Sequence, residues 1–95
     1  MTYEELNALM SDPTFRGRVK VAALKYAGSI MIEPTNTPAH NTREKWAAMT
    51  YQNPETIGAQ LQPPTVMDPA VQEQGAAISD EGLQAAVEGV VNKIL

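Results

Sequence analysis

The stretch from Asp12 to Ile32 limits what this chain can become, because it is the longest uninterrupted helical pattern in the sequence. Asp12 is a natural N-cap: its carboxylate can accept a hydrogen bond from an orphan amide of the first turn. Pro13 then takes the first helical position, where its missing N–H costs nothing. Phe15, Val19, Ala22, Tyr26 and Ile30 recur at helical spacing, and Val21, Leu24 and Met31 form a second stripe offset from the first. Apolar residues on more than one side predict a helix that others pack around. Gly17 and Gly28 lie inside it, each at a cost of about 1 kcal/mol relative to Ala. Gly28 suits either a close backbone approach or a weakened last turn. Glu33-Pro34 marks the end, since the residue before a proline is pushed out of the α region.

The flanking segments read as shorter helices. Thr2-Tyr3-Glu4-Glu5 fits a capping box, and Tyr3, Leu6, Leu9 and Met10 give one apolar stripe, so a helix is predicted from 3 to about 10. It should fold back on the central helix or lie steeply to it. Residues 34–41, rich in Pro, Thr and Asn, read as a loop, with Asn41 capping a third helix that turns Trp46 and Met49 inward, together with Ala47 and Thr50, and ends near Gln52. Asn53-Pro54 and Asp68-Pro69 repeat the cap-plus-proline signal and predict two short helical segments, one through Ile57 to Leu61 and one to about Gly75. Between them, residues 62–69 form a proline-stiffened extended link. Ser79-Asp80-Glu81 opens the last helix, with Ile78 placed as a hydrophobic staple. Its stripe of Leu83, Val87, Val90 and Ile94, widened by Val91 and Leu95, has the cleanest amphipathic spacing in the sequence. No stretch alternates strictly over strand length. The expected fold is therefore all-α: a single helical domain over 1–95, with four to six short helices around the central one.

Composition narrows the function classes. With no cysteine, disulfides and thiolate metal sites are excluded. No run approaches the roughly 18 apolar residues of a membrane span, and an acidic N-terminus lacks the basic start of a signal peptide. Residues 1–48 carry six basic and five acidic side chains, whereas residues 49–95 carry one basic and six acidic. The acidic half is unsuited to phosphate neutralisation. The basic groups of the central helix are Arg16, Arg18, Lys20 and Lys25. On a helix Arg16 and Lys20 share one face and Arg18 and Lys25 another. They read first as a solvated surface with salt-bridge partners. Arg16, Arg18 and Lys20 are also the candidates for contact with an acidic partner surface or with DNA.

Catalytic patterns are not evident. His40 is the sole histidine, and it reads as a loop residue bonding locally. No serine stands in a nucleophile elbow, and no spacing matches a calcium, zinc or phosphate-binding loop. The acids at helix starts are accounted for by the helix dipole. The expectation is a non-enzyme without cofactor or metal. Trp46 reads as core, with an interface anchor as the alternative, and the methionines 10, 31, 49 and 67 as core filler. The last helix either completes the chain's own core or docks on a neighbour as an amphipathic helix in a groove. In that second case Leu83, Val87, Val90, Val91, Ile94 and Leu95 would be the interface and the proline link a strut.

One ordered set of short motifs spans nearly the whole chain: Asp12-Pro13-x-Phe15-x-x-Arg18-Val19-x-Val21-Ala22-Ala23, Thr37-Pro38-x-His40, Asn53-Pro54, Ser79-Asp80-x-x-Leu83-Gln84-x-x-Val87 and Asn92. In this order they resemble small proteins encoded in the virion-structure gene clusters of tailed bacteriophages. Where such proteins often carry an aromatic after the Leu-Gln pair and another before the late Asn, this chain has Ala85 and Val91. The resemblance implies a virion structural component, assembled in the host cytoplasm, at the head–tail interface or on the capsid. The expected role is an adaptor or head-completion protein forming a homo-oligomeric ring between portal and tail, touching packaged DNA weakly if at all. A capsid-surface or cement protein is the alternative within that class, and a small regulatory protein-binding module the alternative outside it.

Overall fold

A computed structural model describes residues 2–32, 37–66 and 68–94, with Ala39 and Ile94 described by their backbone alone. Six helices and no strand occur among the described residues: α1 (Tyr3–Leu9), α2 (Pro13–Ile32), α3 (Pro38–Gln52), α4 (Thr56–Ala59), α5 (Pro69–Ala77) and α6 (Asp80–Ile94). The protein is an all-α bundle built on α2, with α3 and α6 lying along it.

Local chemistry sets most helix starts. The Thr2 hydroxyl accepts from the Glu5 amide at 3.2 Å, and Asp12 Oδ1 accepts from the Thr14 amide at 3.1 Å. Asn53, Asp68 and Ser79 do the same for the segments that follow them, each accepting an amide within three residues. Such caps satisfy donors that a helix's first turn leaves without partners.

The third helix corrects the sequence expectation. It starts at Pro38, capped by Thr37, whose hydroxyl accepts from the His40 amide at 3.2 Å. Thr37-Pro38 is the same cap-plus-proline step as Asp12-Pro13, inside a run whose polar composition reads as loop. His40 and Asn41 are therefore helical, and Asn41 is not the cap. The remainder of the expected loop, Pro34 to Asn36, lies outside the described residues, as does Met67 of the extended link.

The core is one cluster. Phe15, Val19, Ala22, Ala23, Tyr26, Ala27 and Ile30 line the buried side of α2. Three alanines there allow α3 and α6 to approach closely. Ala47 and Thr50 of α3 are buried with Trp46, and the Thr50 hydroxyl donates to the Trp46 carbonyl, which satisfies it inside the core. Met49 is exposed, contrary to its expected inward position. Of the four methionines read as filler, Met10 fills the core, Met31 is exposed like Met49, and Met67 is not described.

The second stripe of α2 is also a correction: Val21 and Met31 face solvent and Leu24 is half-buried. Among the described residues, neighbours surround α2 on one broad side only. α1 lies against α5 and α6 rather than folding back along α2. The proline link is stitched to α1 at its start. Asn7 donates its side-chain amide to the Gln62 carbonyl at 2.9 Å and accepts from the Gln62 amide at 2.8 Å.

Candidate functional site

The α6 stripe serves this chain's own core. Leu83, Val87, Val90 and Val91 are buried against α2 and α1. Of the two alternatives for this stripe, their burial agrees with completion of the chain's own core and not with the docking face, because a side chain sealed inside the bundle offers a partner nothing. Leu95 and the Ile94 side chain lie outside the described residues. Trp46 is likewise buried, its ring tilted 50° to Tyr26 with centroids 5.9 Å apart. That geometry is a favourable offset aromatic contact. Its indole Nε1 is buried without a hydrogen-bond partner among the described residues. Trp46 is a core residue here, not an exposed anchor.

The three basic candidates go separate ways. Arg18 turns inward to the α5–α6 junction. It donates to the carbonyls of Gly75 at 3.1 Å and Ile78 at 2.5 Å, and to Asp80 Oδ1 at 3.3 Å. Those carbonyls belong to the last turn of α5 and its cap, where partial negative charge collects, and Asp80 opens α6. One guanidinium thus binds the end of one helix and the start of the next, which replaces its expected partner contact. Lys20 pairs with Glu55. Arg16 is exposed and carries no ion pair among the described residues. It stands between two adjoining concavities of about 410 and 270 Å³, both floored by Met10 and edged by Pro63.

His40 is 4% exposed, on the first turns of α3, with Nε2 3.9 Å from Glu44 Oε2. The loop placement is thereby corrected. A buried imidazole beside one half-exposed carboxylate at that distance forms neither a general-base pair nor a metal site. Among the described residues no group of three His, Asp or Glu side chains could hold a metal ion. No described helix is long and apolar enough to cross a membrane.

What the sequence reading missed is on the outside of α2. Val21 is 53% exposed and Ile32 83%. Both lie on the outward side of the helix with Thr14 and Lys25, all four exposed. Tyr51 of α3, half-exposed, borders this face: its hydroxyl stands 2.8 Å from where a Cβ on Gly28 would sit. On the other border, a cavity of about 130 Å³ lies between Val21, Lys25, Arg18 and the start of α6. The signal was present as the offset stripe of α2, but spacing alone does not say which stripe is covered.

Compared with family models, curated proteins and solved structures, the chain matches none of them.

Proposed function

We propose that this chain is a structural, non-enzymatic subunit of a tailed-phage virion, an adaptor or head-completion protein in a homo-oligomeric ring between portal and tail. The motif resemblance supplies the class. The observation that supports it is the uncovered face of α2, where Val21 and Ile32 stand in solvent with Tyr51 at the border. Large apolar side chains left in solvent on one helix face suit a partner that covers them. An assembled subunit has use for such a face, whereas a free monomer carries it as a liability. Arg16, beside its two concavities, is the contact offered to an acidic surface of a portal or tail protein or to exiting DNA.

Mass spectrometry of purified particles tests the reading. The expected result is the chain in the virion at the low copy number of a neck ring. A copy number matching the major capsid subunit would make it a cement protein. Absence from particles would remove the virion reading and leave the regulatory binding module.

A further inference from the structure

Two helix rows of this chain are complementary to each other, one on α2, where Arg18 is half-buried and the others exposed, and one on the side of α6 opposite its buried stripe. On α2, Thr14, Arg18, Val21 and Lys25 follow a 4–3–4 spacing along one side. On α6, Glu81, Ala85, Glu88 and Asn92 follow the same spacing on the side opposite its buried stripe, and all four are exposed. Aligned antiparallel, the two rows match layer by layer: Thr14 with Asn92, Arg18 with Glu88, Val21 with Ala85, Lys25 with Glu81. The charged pairs agree in reach as well as sign, since seven residues of helix rise about 10.5 Å on either element.

We propose that α2 of one copy receives the outward face of α6 of a second copy in this register, which joins subunits head to tail. The inference rests on the reading of the chain as a self-assembling ring subunit and supplies the contact. Charge decides between the possible pairings. α2 carries four cations and no acid, so α2 against α2 sets like charges together. The outward row of α6 carries Glu81 and Glu88, so α6 against α6 does the same. Only the unlike contact joins opposite signs, and a contact between different patches builds closed rings or open filaments rather than a two-fold dimer.

Lys25, Glu81 and Glu88 have no ion pair within the chain among the described residues. Arg18 already holds Asp80, but a guanidinium has five donors and can accept a second carboxylate. Two glycines fit the same contact. A Cβ on Gly17 or on Gly89 would meet no atom within 4 Å, so the bundle itself does not require either residue. Both border the rows described, where a small side chain lets two helix backbones approach.

Sedimentation velocity on the full chain tests the contact. The wild-type protein is expected to assemble with rising concentration, and less so in ~1 M salt, where charges are screened beyond about 3 Å. Lys25→Glu and Glu81→Lys are each expected to weaken assembly about tenfold or more, because a like pair replaces an unlike one. The double variant Lys25→Glu/Glu81→Lys restores the pair in swapped form and should assemble again. An equimolar mixture of the two single variants should assemble again in alternation, since both junctions between unlike variants are attractive, one with the original pair and one with the swapped pair. Circular dichroism should show all variants folded, as neither residue has an ion-pair partner in its own chain among the described residues.

A wild-type chain that stays monomeric overturns the proposal. So do single variants that assemble like wild type, or a mixture of the two that stays monomeric. Presence in virions combined with unaffected single variants would remove this contact and leave the virion reading. Assembly through this contact by a chain absent from particles would do the reverse.

Discussion

Arg18 donates to the carbonyl oxygen of Ile78 at 2.5 Å, across sixty positions of sequence. The bond fastens the centre of the fold to the junction between its last two helices. Its side chain is 30% exposed, so it is only partly screened by water. Charge-assisted hydrogen bonds to backbone acceptors are worth about 1.5–3 kcal/mol each in favourable settings. The exposed partner Asp80 adds little, as surface ion pairs usually do.

Replacing Arg18 by Met should keep the apolar stem and lose the two carbonyl bonds. The expected cost is about 2 kcal/mol, a fall in Tm of roughly 8–16 °C for a chain of this size. Arg18→Lys should recover less than half of that loss, because a single ammonium cannot hold two carbonyls and a carboxylate in one plane. Asp80→Asn should cost less than either. Urea unfolding followed at 222 nm measures all three, and a lysine variant as stable as wild type would show that the guanidinium geometry is irrelevant.

Removal of residues 79–95 should leave an unfolded chain, not a folded monomer that fails to assemble. Leu83, Val87, Val90 and Val91 are all buried. Each such side chain contributes about 1.5–3 kcal/mol by burial, against a total stability of about 5–15 kcal/mol for a domain. Loss of helical circular dichroism beyond that of the missing segment is the expected readout. A truncated chain with sharp, dispersed amide resonances would mean that the bundle closes without α6.

Asn7 and Gln62 show how the proline link is placed. Asn7 presents a donor and an acceptor to the backbone of one residue, as a neighbouring strand would. Asn7→Ala leaves both Gln62 groups to water, and Asn7→Asp keeps the acceptor but loses the donor. Expected costs are about 1–2 kcal/mol for Ala, at two ordinary hydrogen bonds in an exposed setting. Amide exchange at Gln62 should quicken in Asn7→Ala, and unchanged exchange there would mean that the link is held by Leu61 burial instead.

Much of this fold was legible before any coordinates. Asp12-Pro13 and Asp68-Pro69 marked two helix starts because the chemistry of capping is local and needs only a few residues, whereas Asn53-Pro54 opens a turn ahead of α4, whose N-cap is Glu55. Thr37-Pro38 followed the same rule but sat in a run of prolines, threonines and asparagines, and average composition outweighed the cap. The spacing of Leu83, Val87, Val90 and Val91 identified an amphipathic helix, yet spacing cannot say whose core it enters. Arg18 was harder still. Its acceptors are backbone carbonyls, which every residue carries, so nothing in the sequence around Gly75 or Ile78 announces them. The covered and uncovered stripes of α2 look alike in one dimension, and the distinction between Val19 and Val21 exists only once α3 and α6 have chosen a side.

Gly17 and Gly28 should respond differently to the same substitution. Both are within α2, where alanine is favoured over glycine by about 1 kcal/mol. A Cβ on Gly17 meets open space, so Gly17→Ala should gain close to that full amount in the monomer, measured in urea at low protein concentration. A Cβ on Gly28 would sit 2.8 Å from the Tyr51 hydroxyl, so the ring must move before the gain is realised. Gly28→Ala is therefore expected to gain less, or to lose stability. Tyr51→Phe removes the obstructing oxygen from a half-exposed side chain. In that background Gly28→Ala should recover the difference, giving a positive coupling of about 0.5–1 kcal/mol in a double-mutant cycle. Independent, additive effects of the two substitutions would show that Tyr51 does not rest on Gly28 in solution.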